Sequence, residues 1–331
     1  MNLYSWQISA WRQLWQSGID RLPHALLICG SPGIGKRSFA NVFAKSLVCQ
    51  RLSASNLPCG ACDSCRFFEQ NSHPDIRHVM PEAEVELDEA DAKEKKPSEF
   101  ITINQIRALG NFVSLTSHQN GRRVALISSA ELLNINAANA LLKMLEEPPQ
   151  NTLFVLVTNN LSRILPTIRS RCRLLKLPIP DPREAGLWLA EQRCADSALN
   201  LALAGQAPLD ALDISANADW QSQRKGFCDA LASVPGDPIA VAELVQKIDA
   251  AVVLRWLQTW IYDLISLKTI QSHRYHTDQS NSLNKINKQF QLFDLLNFND
   301  EIIASKRLIR HPLNIKLVWE SLFIKYFNFM N

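Results

Sequence analysis

Short apolar runs recur through the first half of the chain, with stretches of helical periodicity between them. Each run is four to six residues long, which suits a strand that is buried on both faces of a parallel sheet. The predicted strands are His24–Cys29, Ile76–Met80, Val124–Ile127, Leu153–Thr158 and Leu174–Leu177. Because strands alternate with helices, the pattern indicates an α/β domain with a doubly wound sheet.

The pattern changes after Leu177, where a proline-rich stretch at 178–182 marks a linker. Asp181 precedes Pro182, and Glu184 stands three residues after the aspartate. This is the arrangement of an N-cap, a proline at the first helical position and a capping-box glutamate, so a helix is predicted to begin here.

The remainder of the chain is predicted to be helical. Gly205 is placed to end one helix, and Ala250–Lys268 and Pro312–Phe327 carry apolar residues at helical spacing. A polar stretch at Gln271–Asn287 separates two parts of this region.

Composition and charge restrict the class of protein. The chain has 331 residues, of which 47% are hydrophobic and 20% charged, which is typical of a globular protein with two or three domains. The formal net charge of +3 is small, so it does not indicate a strongly basic surface that binds nucleic acid. No apolar run approaches the roughly 20 residues of a membrane span, and the N-terminus lacks a signal-peptide pattern. We therefore expect a cytoplasmic protein without a membrane partner.

One segment, 82–99, is crowded with acidic residues and has few large apolar ones. Such a segment buries too little surface to offset its ordering entropy, so the sequence predicts a mobile loop. An acidic arm that docks on a partner is the alternative interpretation.

A glycine-rich stretch follows the first predicted strand. Gly30, Gly33, Gly35 and Lys36 have the G-x-x-x-x-G-K spacing of a P-loop, between a strand and a helix. The backbone N–H groups of such a loop face a phosphate, and the lysine reaches the outer phosphates of a nucleotide. A glycine-rich turn unrelated to nucleotides is the alternative.

The residues that would bind Mg²⁺ and activate water are missing. Arg37 stands where a P-loop has a metal-binding Ser or Thr, and Ser38 lies about 100° further around the helix. The strand Val124–Ile127 is followed by Ser128 and Ser129 instead of a carboxylate pair. Glu131 lies beyond the strand end, so we expect it to point elsewhere. Mg²⁺-dependent ATP hydrolysis by this chain is not expected, whereas ATP binding stays open.

Four cysteines have the spacing of a metal site. Cys49, Cys59, Cys62 and Cys65 form C-x9-C-x2-C-x2-C, which predicts a structural zinc ion in a closed tetrahedral site. An iron–sulfur cluster and coincidence remain alternatives. The ferredoxin pattern would continue with a further cysteine at the position of Glu69.

Three further motifs resemble signatures of the clamp-loader subunits of bacterial DNA polymerase III, in the AAA+ family. The stretch 138–149 reads ANALLKMLEEPP, 170–172 reads Ser-Arg-Cys, and 73–75 reads His-Pro-Asp. Together with the P-loop and the cysteines, they cover roughly residues 20–180 in the family's order. Glu146 and Glu147, at the end of the first motif, are expected to shape a loop or a subunit contact.

The resemblance implies three domains. Residues 1–178 would form the AAA+ P-loop domain with its four-cysteine zinc module, 179–217 a small helical lid domain, and 218–331 an all-α collar domain for oligomerisation. By the same resemblance, Arg171 would be an arginine finger that enters the ATP site of a neighbouring subunit. The alternative is that Arg171 caps or pairs within its own fold.

The family's motor subunits keep the metal-binding hydroxyl and the Asp-Glu pair that this chain lacks. The resemblance therefore implies a non-hydrolysing subunit that helps to load the sliding clamp on primed DNA. Its direct partners would be the motor subunits and the delta subunit. An active ATPase motor subunit of the same loader is the first alternative, and a zinc-dependent nucleic-acid-binding protein is the second.

Overall fold

The structure, a computed structural model, describes residues 3–16, 18, 21–84, 97–115, 122–308 and 315–330. Most of the acidic segment 82–99, for which a mobile loop was predicted, lies outside the described residues. The chain forms two compact units, Met1–Glu184 and Ala185–Asn331. No helix in the described ranges is both long and apolar enough to cross a bilayer.

The first unit contains a five-stranded parallel sheet. The strands are β1 (Ala25–Cys29), β2 (Ile76–Val79), β3 (Arg123–Ile127), β4 (Thr152–Thr158) and β5 (Arg173–Lys176). They lie in the order β2-β3-β4-β1-β5. Leu27 of β1, which lies between β4 and β5, is opposite Leu156 on one side and Leu174 on the other. All five predicted strands are confirmed, each to within one residue at either end.

Helices cover both faces of this sheet. They are α1 (Ile8–Trp15), α2 (Lys36–Val48), α3 (Asp63–Glu69), α4 (Ile103–Ser114), α5 (Ile135–Glu146) and α6 (Pro166–Arg169). Leu26 and Ile28 of β1 join an apolar cluster with α1 and α2, whereas Ala25 and Leu27 join one with α4, α5 and α6. Alternate residues of a strand point to opposite faces, so one apolar run serves both clusters. The predicted α/β class with a parallel sheet is confirmed.

The second unit is all-α: in the residues described in 185–308 and 315–330 it contains helices joined by loops and turns, and no strand. Its helices are α7 (Pro182–Glu191), which begins at the end of the first unit, α8 (Ser197–Leu203), α9 (Pro208–Ala216), α10 (Ala218–Ala232), α11 (Pro238–Val245), α12 (Ala250–Ile270), α13 (Ser280–Asn287), α14 (Leu292–Leu308) and α15 (Ile315–Asn328).

The helix signals of the sequence hold in this region. The Asp181 side chain accepts a hydrogen bond of 2.9 Å from the Arg183 N–H at the start of α7. Gly205 follows α8 with a left-handed φ of 69°. The predicted helices at Ala250–Lys268 and Pro312–Phe327 correspond to α12 and α15, although residues 312–314 lie outside the described ranges.

Two apolar clusters lie within the second unit. A smaller one contains residues from Ala185 to Ile214, and a larger one contains residues from Phe227 to Phe327. Trp220 packs against both. The boundary predicted near residue 217 falls between the two clusters, and the division into lid and collar stays a prediction.

Candidate functional site

The P-loop lies where the sequence predicts it, at the carboxyl end of β1 and before α2. Gly33 and Gly35 adopt left-handed φ values of 66° and 82°, and Gly35 caps the first turn of α2. A Cβ at Gly35 would lie 2.5 Å from a ring carbon of Tyr4, so only glycine fits at this position. The Lys36 side chain is buried and donates a hydrogen bond to the Ser31 carbonyl of the same loop.

Residues 4–7, which precede α1, support the P-loop through contacts that were not predicted from the sequence. The Trp6 indole donates to the Ile34 carbonyl at 3.0 Å. The Gln7 amide donates to the same carbonyl at 3.0 Å and to the Gly35 carbonyl at 2.9 Å. The Tyr4 hydroxyl hydrogen-bonds the Ser38 side chain. No sequence pattern announces these contacts, because they join segments almost 30 residues apart.

An ion pair lies beside the P-loop lysine. Arg37, the residue that replaces the metal-binding hydroxyl, pairs with Glu84. The Ser129 hydroxyl donates to the two Glu84 carboxylate oxygens at 2.8 and 3.1 Å. The network thus links the start of α2 with the end of β3, the two places that supply Mg²⁺ ligands in a P-loop ATPase. A protein cation and a protein anion satisfy each other there.

The first serine after β3 is also engaged. The Ser128 hydroxyl lies 2.7 Å from Nε2 of His78 in β2. Burial lowers the pKa of His78 to about 4, and the positive charge of Arg37 adds to this effect while Glu84 opposes it. The imidazole is therefore neutral at neutral pH. Its only signal in the sequence was a histidine inside an apolar run.

Glu131 remains at the same edge of the sheet, although it lies beyond the end of β3. Its Oε1 accepts a hydrogen bond of 3.0 Å from the Asn159 N–H, directly after β4. The Glu131 carboxylate is thus directed towards the end of β4. This agrees with the expectation that it does not take the position directly after β3.

The four cysteines of the predicted metal site converge in the structure. Their Sγ atoms all lie within 4.8 Å of one another, and Cys49 Sγ and Cys62 Sγ are 4.0 Å apart. Tetrahedral thiolates around one zinc ion lie roughly 3.8 Å from one another, given Zn–S bonds of about 2.3 Å. The donor set therefore fits a single metal ion and is compatible with zinc.

Local structure explains how these thiols meet. Cys62 is the N-cap residue of α3 and Cys65 lies within its first turn, and both cysteines are buried. Gly60 takes a left-handed φ of 74° between the second and third cysteines. The Cys49 sulfur accepts hydrogen bonds from the Arg51 and Cys59 N–H groups at 3.4 and 3.3 Å. Metal binding requires these cysteines in the thiolate form.

Arg171 follows the short helix α6. Its Nη2 lies 2.7 Å from Oε1 of Glu146, the last residue of α5. Its Nη1 donates to the Thr167 carbonyl at 3.0 Å and contacts the Ser170 hydroxyl at 3.4 Å. The pairing within the fold that was the alternative for Arg171 is thus present. The side chain nevertheless keeps 35% of its surface exposed.

Arg171 and the P-loop lie at opposite edges of the sheet: Arg171 is at the amino ends of the strands, and the P-loop is at their carboxyl ends. Arg171 comes just before β5, whose first residue Arg173 pairs with Leu26 near the start of β1. The P-loop comes after Cys29, at the other end of β1. Because β1 and β5 are parallel, the length of a strand, about 13 Å, separates the two positions. Arg171 therefore does not belong to the phosphate site of its own chain.

Solved structures show a weak overall likeness to this chain. A DNA polymerase III gamma subunit-related protein from Thermotoga maritima is 16% identical, with 98% of this chain and 100% of that chain covered, at a TM-score of 0.46. The RuvB Holliday junction branch migration motor of the same organism is 15% identical, with 80% and 74% covered, at a TM-score of 0.37. Both scores are too low to support an argument.

Family models and curated relatives show the family to which this chain belongs. The family model described as DNA polymerase III, delta subunit, matches residues 7–181, and the C-terminal model of that description matches residues 218–326. The DNA polymerase III subunit delta prime of Pseudomonas aeruginosa is 31% identical, with 98% of this chain and 97% of that protein covered. Its counterpart from Escherichia coli is 33% identical, with 80% and 77% covered. The chain therefore belongs to the delta prime subunit family of DNA polymerase III.

Proposed function

We propose that this chain is a non-hydrolysing subunit of the DNA polymerase III clamp loader, and that it presents Arg171 in trans to the ATP site of a neighbouring motor subunit. The loader opens a sliding clamp and places it on primed DNA. In this role the chain contacts motor subunits and the delta subunit, and it reaches clamp and DNA through the complex. It acts in the cytoplasm, where bacterial DNA is replicated.

The position of Arg171 at the sheet edge opposite to its own P-loop is the observation that carries the proposal. An arginine finger stabilises the charge that develops on the γ-phosphate, and in other systems it contributes about 10³–10⁵ in rate. An arginine at this edge serves a nucleotide only if that nucleotide is bound to another subunit. The partly exposed guanidinium is accessible for such a contact.

The chemistry of the chain's own site supports the second half of the proposal. Gly30, Gly33, Gly35 and Lys36 keep the form of a phosphate cradle, but Arg37 pairs with Glu84 beside it. A serine hydroxyl has no basic pKa near neutral pH, so neither serine after β3 activates water. Any nucleotide held by this loop is not hydrolysed.

The four-cysteine cluster binds structural zinc in this proposal. Four thiolates of Cys49, Cys59, Cys62 and Cys65 leave zinc no open coordination position, which excludes direct metal catalysis at this ion. A bound ion would hold the segment after α2 against α3. Four irons with their sulfides occupy more space than one ion, so the close approach of the sulfurs favours zinc over a cluster.

The experiment uses the reconstituted loader, in which ATP hydrolysis is stimulated by clamp and primed DNA. We expect Arg171→Ala to lower the stimulated rate by at least about a hundredfold, with the complex still assembled by gel filtration. Arg169→Ala is the matched control, because this exposed arginine lies in the same segment. An unchanged rate for Arg171→Ala would remove the trans role.

The rival functions predict different results for the isolated chain. A motor subunit would release phosphate from Mg-ATP without partners, whereas our proposal expects none. A zinc-dependent nucleic-acid-binding protein would bind DNA tightly and lose affinity steeply with salt. The small net charge of +3 favours neither strong binding nor a steep salt slope.

A further inference from the structure

We propose that Glu146 is a positioning residue for Arg171, holding its guanidinium in place until it meets the γ-phosphate of the neighbouring subunit's nucleotide. The inference rests on the proposed function of Arg171 and adds a residue to it. Its basis is the ion pair of 2.7 Å between Arg171 Nη2 and Glu146 Oε1.

Both partners are attached to the same part of the core. Leu145, which precedes Glu146, is 2% exposed, and Ile168, three residues before Arg171, is 1% exposed. Both belong to the apolar cluster under α4, α5 and α6. The Arg171 N–H also donates to the Ile168 carbonyl at 3.1 Å, which closes the turn after α6. The two backbones are therefore fixed before the side chains meet.

The guanidinium has three partners on two of its nitrogens. Nη2 contacts Glu146, while Nη1 contacts the Thr167 carbonyl and the Ser170 hydroxyl. An unrestrained arginine loses rotamer entropy when it is ordered. Contacts that order the side chain beforehand reduce the cost of ordering it in the transition state.

The pair is also weak enough to be exchanged. The Arg171 and Glu146 side chains are 35% and 43% exposed, and ion pairs between such exposed side chains contribute little to stability. Carboxylate and phosphate both present oxygens that match the planar fork of a guanidinium. A γ-phosphate that approaches from the neighbouring subunit can thus replace the carboxylate without a large energetic cost.

Helix stability gives no reason for a glutamate at this position. Glu146 is the last residue of α5, where the negative end of the helix dipole disfavours a carboxylate. The ion pair with Arg171 offsets this cost and gives a reason for a glutamate at position 146. Glu147 follows with backbone angles of −122° and 72°, which turn the chain towards Pro148.

The test measures kcat and KM for ATP in the reconstituted loader with clamp and primed DNA. We expect Glu146→Gln to lower kcat about three- to tenfold and to leave KM unchanged, because ATP is bound by the neighbouring subunit. Glu191→Gln is the matched control, because this exposed glutamate is likewise the last residue of its helix, and we expect it to behave like the wild type. In the Arg171→Ala background, Glu146→Gln should have no further effect.

The outcomes separate the two proposals. If Arg171→Ala abolishes stimulation while Glu146→Gln retains full kcat, the trans arginine stands and the positioning role is wrong. If Glu146→Gln lowers kcat equally in the Arg171→Ala background, Glu146 acts independently of Arg171 and the inference is also overturned. An unchanged rate for Arg171→Ala overturns the proposed function and this inference together. Gel filtration of each variant complex excludes loss of assembly as the cause.

Discussion

Arg37, which occupies the metal-ligand position of the P-loop, forms an ion pair with Glu84. Since Ser129 donates to the same carboxylate, the pair joins the two segments that a P-loop ATPase joins through Mg²⁺. The Arg37 guanidinium thus supplies a positive charge where such an ATPase has Mg²⁺. Because it is part of the protein, this charge does not bind or dissociate together with a nucleotide. This relationship supports the proposal that the chain does not hydrolyse ATP.

Restoring a hydroxyl at this position should not restore hydrolysis. We expect Arg37→Thr to release no phosphate from Mg-ATP, because serines still follow β3 where the water-activating carboxylate would stand. The free energy of unfolding should fall by less than about 1 kcal/mol, since the Arg37 side chain is 46% exposed. Phosphate release and urea unfolding of the purified chain measure the two effects.

Glu84→Gln is the matched control for this change. It removes the same ion pair from the other side, so its stability loss should be similar, and the double variant should lose little more than either single one. Mg²⁺-dependent phosphate release by Arg37→Thr would contradict the interpretation of the site.

Acid should destabilise the chain through His78. Burial lowers the pKa of this imidazole from 6.5 to about 4 in the folded protein. Between these values the unfolded chain binds a proton that the folded chain does not. The contribution of His78 to the free energy of unfolding is therefore fully present above about pH 6.5. It is lost as the pH falls towards 4, with a slope of up to about 1.4 kcal/mol per pH unit.

Urea unfolding at several values from about pH 7.5 to about pH 4.5 measures this slope. His78→Gln keeps a polar group near Ser128 and should flatten it. Burial lowers the pKa values of His73 and His276 as well, so they add slopes of the same sign, and the difference between variant and wild type isolates His78. A difference that does not vary with pH would refute the assignment.

Metal removal should act on folding. We expect about one zinc per purified chain, and close to none in Cys62→Ser, whose side chain is a buried member of the cluster. The thermal midpoint should fall on treatment with a chelator, because the ion's binding energy contributes to folding. Elemental mass spectrometry and thermal unfolding are the measurements.

Cys194→Ser is the control for the metal experiment, because this cysteine lies outside the cluster. It should keep the full zinc content and the wild-type midpoint. Iron with acid-labile sulfide in the purified protein would instead establish the iron–sulfur alternative.

The strands and the helix starts were readable from the sequence because they depend on short-range patterns. The apolar runs located all five strands, and Asp181 with Pro182 located the start of α7. The cysteine spacing predicted the four-cysteine cluster, since C-x2-C places successive thiols close together along the chain. The missing hydroxyl at Arg37 and the missing carboxylates after β3 were equally visible.

The sequence could not reveal which distant groups replace the missing ligands. Glu84 lay within an acidic segment that gave no reason to single it out, and Trp6 and Gln7 preceded an ordinary helix. Their contacts with Arg37 and the P-loop depend on how the sheet brings its carboxyl-end loops together, which short-range patterns do not encode.

The sequence by itself determined the fold class, the P-loop, the cysteine set and the arginine that resembles a finger. Only the tertiary structure decided that Arg171 lies at the sheet edge opposite to its own P-loop, and that Glu146 pairs with it there. The physical reason is that residue type and spacing fix what a segment can do locally. The parallel pairing of β1 with β5 fixes which edge of the sheet each segment reaches.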